Sequence, residues 1–167
     1  SSRRYVYRVS KMHSSTTVVV HPAWCEIDTH ADTCCLGKNF VPLAYTNRVC
    51  DVHAYTDKVD TISNIPVVTG ATAASLPNGE TVILVVHQGL YFGEDMPHSL
   101  INPNQIRHYG IPVSDDAYDG GQELSIDHDD ILIPFETEGL TVFFDSYVPT
   151  DHEIETCPHV TLTSDQE

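Results

Sequence analysis

Positive charge is what this 167-residue chain has least of: eight Lys and Arg stand against 24 Asp and Glu, for a formal net charge of −16. Four of the eight (Arg3, Arg4, Arg8 and Lys11) fall in the first eleven positions, and no Lys or Arg follows Arg107, where fifteen acids do. Such a body repels phosphate backbones, so direct nucleic-acid binding is excluded outside the short basic segment. That segment reads either as a solvated lead-in or as an arm that docks on an acidic surface of another copy. Long hydrophobic runs are missing as well. No stretch approaches the roughly 20 apolar residues of a membrane-spanning helix, so no membrane partner is expected. The opening Ser1-Ser2-Arg3-Arg4 has neither a signal peptide's apolar core nor an initiator Met, which reads as an excised or processed piece.

Regular cysteine spacing is absent too. The five Cys (25, 34, 35, 50 and 157) form no C-x-x-C pair and leave at least one thiol unpaired, which favours reduced thiols, with Cys50–Cys157 or Cys25–Cys50 bridges left open. There is no Gly-rich phosphate cradle, no G-x-S-x-G and no H-E-x-x-H, so no cofactor is expected.

What the chain does have is the composition of a globular protein: 41% apolar residues, with eight Tyr and five Phe. Its length suits one domain with a real core. The division expected is a basic arm over residues 1–15 and a single β domain over 16–167, with a C-terminal β extension from about residue 115 as an open alternative.

Short β-prone runs recur along the chain. Strands are expected over 16–21, 24–28, 39–47, 49–56, 61–69, 111–113, 123–127, 131–135, 140–144 and 158–163. The firmest is 81–87, continued by 90–92. Asn78-Gly79, flanked by β-formers, signals a hairpin turn, and the small polar stretch around it (69–81) reads as rich in turns. Pro66 marks 61–69 as an edge strand. Helices are expected from Pro103, with Gly110 as the stop, and from Pro149-Thr-Asp-His-Glu. Many short strands with one or two short helices predict an all-β barrel or sandwich.

The segment 25–37, C-E-I-D-T-H-A-D-T-C-C-L-G, carries the densest chemistry. Alternation places Asp28, His30, Asp32 and Cys34 on one face of an extended strand. As metal ligands they would spread over nearly 20 Å of strand, too far for one ion unless the segment turns; two of them with His53 or His87 would be more feasible. The Asp-His-Asp-Asp run at 127–130 lacks the spacing of a calcium loop and reads as a solvated acidic turn. The remaining His residues (13, 21, 98, 108, 128, 152 and 159) read as surface or structural. An apolar strand ending in Asp-Thr with a small residue two positions on also meets the needs of an aspartic-protease half-site, in which two carboxylates meet and share a proton.

Several segments together resemble one family. I-D-T-H-A-D-T-C-C-L-G-K-N-F resembles the active-site segment of retropepsin-like proteases in copia-type retrotransposon polyproteins. T-G-A-T-A-A, N-G-E-T-V-I-L-V-V-H-Q-G-L-Y-F-G-E-D-M-P-H-S-L-I-N-P-N-Q-I-R is similar to the family's flap region, following strand and helix, and V-P-T-D-H-E-I-E-T-C-P-H-V-T-L-T-S-D is similar to the segment after the protease in divergent members. The resemblance covers roughly residues 16–165.

It implies a retropepsin-like closed β-barrel or sandwich that acts as an aspartic endopeptidase on a polyprotein. Asp28 would be the catalytic carboxylate, Thr29 the inter-subunit hydroxyl and Ala31 the small loop residue. Thr69, Gly70, Ala71, Thr72, Asn78 and Gly79 would form a flap over the peptide substrate. One motif per chain implies a homodimer, and a retroelement protein implies a cytoplasmic location. The departure is His30, where the family has a glycine that lets the backbone turn tightly. Asp32 would pair with His30 or Arg107, or stand solvated. The alternative is an inactive domain of the same fold that serves as a self-assembling module.

Overall fold

The run at 82–86 is apolar at five consecutive positions, and in the computed structural model all five are buried. A strand with no polar face must be covered on both sides, which places it in the interior of the sheet. The structure describes residues 22–29, 33–52, 62–114, 125–128 and 131–163. The expected arm at 1–15, the strand at 16–21 and the segment 129–130 lie outside them.

The described elements run β1 (Trp24–Ile27), β2 (Cys35–Gly37), β3 (Val41–Val52), β4 (Ile62–Ser75), β5 (Thr81–Gly93), β6 (Ser99–Ile101), α1 (Pro103–His108), β7 (Val113–Ser114), β8 (Ser125–His128), β9 (Ile131–Pro134), β10 (Glu136–Glu138), β11 (Thr141–Asp145), α2 (Asp151–Thr156) and β12 (His159–Thr161). The chain is therefore essentially all-β. Nine strands form one mixed sheet in the order β10-β11-β1-β6-β2-β5-β4-β3, with β12 beside β5, and β7-β8-β9 form a second sheet. Among the described residues the sheet does not close into the expected barrel. The pairing path is open, with β10 and β3 at its ends, and β3 carries edge features: Pro42, a register shift around Asn47 at φ +66° and the exposed Arg48.

Local chemistry sets the clearest elements. The turn from β4 to β5 closes over Asn78-Gly79, with Gly79 at φ +89° and the Glu80 N–H donating to Asn78 Oδ1 at 2.9 Å. Helix α1 starts at Pro103 behind an Asn102 cap that accepts from the Asn104 N–H, and Gly110 follows at φ +97°. Helix α2 has a complete capping box between Thr150 and Glu153.

Two expectations change. The two strands expected over 39–56 are one strand bent near Asn47, because a positive φ bulges the ladder without ending it. Residues 69–74, expected as turn-rich, form the buried second half of β4, which ends at exposed Ser75. Their small side chains make room for packing: a Cβ on Gly70 would lie 2.7 Å from Leu36 Cδ1, and one on Gly89 of β5 only 2.6 Å from it. Leu36 of β2 thus seats its side chain against both strands. Pro66 sits in β4 one residue outside the first β5 pair, Val67↔Leu90, where only β3 flanks it, so its missing N–H disrupts nothing on that side.

The main core draws on both sheets, from Cys25, Leu36 and Ile101 to Ile126, Ile133, Phe144 and Leu162. The carboxy-terminal elements are paired into the rest: β11 pairs β1 and β12 pairs β5.

Gly37 has no room for a side chain, since a Cβ would collide with the backbone carbonyl oxygens of Met96 and His98, whereas one on Gly79 meets nothing within 4 Å. Gly37→Ala is expected to cost about 3 kcal/mol by urea denaturation, and Gly79→Ala about 1 kcal/mol from its left-handed backbone alone. Equal losses would contradict this packing.

Candidate active site

Strand β1 is short and its side neighbours are fixed. It pairs antiparallel with β11 (Cys25↔Phe144) and parallel with β6 (Cys25↔Ser99, Glu26↔Leu100, Ile27↔Ile101). Strand β6 also pairs antiparallel with β2 through Cys35↔Leu100. It therefore lies between β1 and β2, the two strands that the 28–34 loop connects. The ladder runs one residue past β1: the Asp28 N–H donates to the Ile101 carbonyl at 3.0 Å. Asp28 thus stands half-buried at the end of an apolar strand, with Thr29 exposed in the turn beyond it.

The other foot of the loop is also pinned. The Cys34 carbonyl accepts from the Leu90 N–H at 3.0 Å, and the Cys34 thiol donates to Gln105 Oε1 at 3.1 Å. Cys35 follows on β2. Its thiol is pushed up to about 11, first by burial and then by the negative charge of nearby Asp28. His30, Ala31 and Asp32 lie outside the described residues.

Of the four alternating candidate ligands, only Asp28 and Cys34 are among the described residues. Strand β1 ends at Ile27 and Cys34 enters β2, so Asp28 and Cys34 do not share one strand, and Cys34 is buried while Asp28 is half-exposed. His87 is held by Thr69, with Nδ1 at 2.8 Å from Oγ1, and His53 lies outside the described residues. Among the described residues, no three His, Cys, Asp or Glu side chains gather. All five cysteines are free thiols.

The residues expected to cover substrate divide into two groups. Thr69, Gly70, Ala71 and Thr72 are buried in β4, and the Thr72 hydroxyl donates to the Asn39 carbonyl at 2.7 Å. Side chains so enclosed hold the sheet and have no surface to offer a peptide. Asn78 and Gly79 are exposed at the β4–β5 turn. The more exposed hairpin arm is β3 with β4: Asn47 to Asp51 on one side and Ser63 and Asn64 on the other are open to solvent, and the Asn64 N–H donates to Asp51 Oδ1 at 3.1 Å.

Sequence spacing missed the polar knot that ties these strands together. Ser99 donates to Asn39 Oδ1 at 2.5 Å and accepts the Gly37 N–H at 2.8 Å. Asn39 Nδ2 donates to Ser146 Oγ at 2.7 Å and to the Trp24 carbonyl at 3.2 Å. All three side chains are buried, and buried polar groups persist only when satisfied in this way. The partners lie 60 and 107 positions apart, so no local motif could reveal them.

Comparisons with protein-family models, with curated proteins and with solved structures return no match to this chain.

Burial pushes the Cys25 and Cys34 thiols up from 9.0 to about 12. A group whose folded value is raised adds stability that is complete below its unfolded value and is lost as pH climbs toward the folded one. Stability is therefore expected to fall between pH 9 and about 12, with a shallower slope in Cys25→Ala, measured by urea titration across that range. Iodoacetamide at neutral pH should label exposed Cys50 and spare both buried thiols, as read by mass spectrometry; labelling of Cys25 in the folded protein would contradict its burial.

Proposed function

We propose that this chain is one half of a retropepsin-like aspartic endopeptidase that cuts a polyprotein, with the working enzyme a homodimer that brings two Asp28 carboxylates together. The observation that carries the proposal is the seat of Asp28: an apolar strand ends in Asp-Thr, and its last backbone donor is fixed to the strand inserted beside it. A carboxylate meant to meet a symmetry mate within about 3 Å must be held by its backbone, because like charges at that distance push the loop apart unless they share a proton. One carboxylate of the pair takes a proton from water as it attacks the peptide carbonyl, and the other, protonated, donates to the carbonyl oxygen. Thr29 follows in the exposed turn, where its hydroxyl would bond across the dimer. His30 replaces the family glycine in this loop and narrows the backbone conformations that it can take.

In this reading the β3–β4 arm, exposed along its outer half, closes over the substrate and excludes water. The enclosed residues 69–72 then act as its root.

A second reading, an inactive domain that assembles with itself, is favoured by one observation. Edge strand β3 is twelve residues long and exposes Leu43, Tyr45 and Val49, the kind of edge that pairs with another copy.

Purified full chain is expected to cleave polyprotein-derived peptides at mildly acid pH. Asp28→Asn, a half-buried and nearly isosteric change, is expected to lower the rate at least about a thousandfold with the melting curve unchanged. An inert wild type that forms oligomers through β3 would instead support the second reading.

A further inference from the structure

Two hollows of about 270 and 300 Å³ adjoin, sharing Ser75 and Asp145 as a common wall. The first is lined by Ile133, Pro134 and Glu136, and the second by Glu94 and Tyr147 with Lys38 at its side. Together they present three carboxylates against one ammonium, beside apolar surface.

Pro22, the first described residue, also lines the second hollow. Residues 1–21 contain Arg3, Arg4, Arg8 and Lys11 and no acid. Tyr5, Val6, Tyr7 and Val9 lie among these cations, a mixture that suits a groove of mixed carboxylate and apolar lining. Lys11 stands eleven residues before Pro22, a span of up to about 36 Å when extended.

We propose that the basic segment 1–15 of the same chain docks in this groove, with its cations against Glu94, Asp145 and Glu136. The groove is a binding site for an extended basic peptide, and the chain supplies its own occupant. The assignment rests on the position of Pro22 and on charge, and it is independent of the protease reading.

Trypsin tests it on the full chain, with cuts after Arg3, Arg4, Arg8 and Lys11 followed by mass spectrometry. Docking predicts slow cleavage of the wild type and cleavage about three- to tenfold faster in Glu94→Gln/Glu136→Gln, which removes two carboxylates from exposed or half-exposed positions. Addition of about 0.5 M salt should speed the wild type and leave the double variant little changed. Glu155→Gln, an exposed acid on α2 outside both linings, should cleave like the wild type. Equal rates in the wild type and the groove variant would overturn the proposal. Protection that disappears on dilution would overturn it as well, since the occupant would then be the arm of a second copy.

Discussion

Insertion of β6 between β1 and β2 is the constraint on which the rest of this structure depends. A three-residue strand adds few hydrogen bonds of its own, yet it joins β1 in parallel and β2 in antiparallel register. Strands β1 and β2, consecutive in the chain, are therefore not neighbours in the sheet. The last bond of the parallel ladder, from the Asp28 N–H to Ile101, sets where the carboxylate leaves the sheet. Behind it, Ser99 at the head of β6 anchors the buried knot with Asn39 and Ser146, which binds the turn after β2 and the end of β11 to β1. Gly37 is the steric condition for that closeness, because β2 runs against the carbonyls that lead into β6.

The same core disposes of the chain's unusual residues. Cys25 and Cys34 sit in it as small hydrophobes, Cys25 3.2 Å from Ser146 Oγ and Cys34 bonded to Gln105. Buried thiols with raised values are poor nucleophiles and poor ligands, so these two cysteines contribute packing. Acidic residues concentrate outside that core, and basic ones concentrate ahead of Pro22. Charges separated along the sequence are brought together in space if the first residues meet the acidic groove.

Much of the fold was legible because the residues concerned act locally. Asn78-Gly79, Pro103 behind Asn102, and Thr150 with Glu153 each state their turn or cap chemistry within four positions, and the apolar run at 82–86 declares a strand covered on both faces. The errors arose where local meaning was overridden. Thr69-Gly-Ala-Thr-Ala-Ala resembles a turn segment by composition, but its smallness serves Leu36, a residue more than thirty positions earlier. The bend at Asn47 looked like a break between two strands, and the open edges of the sheet could not be read because closure depends on pairing between distant strands. For the site, Asp28 and Thr29 were visible as a motif, while the backbone bond that fixes them and the Asn39–Ser99–Ser146 knot join positions far apart in the chain.

The central claim is that this strand end presents Asp28 to a second copy of itself. The separation of the two Asp28 carboxylates in a crystal of the dimer grown at mildly acid pH tests it most directly. The account predicts oxygens near 3 Å apart, close enough to share one proton. A dimer with these carboxylates well apart, on surfaces that do not face each other, would contradict it.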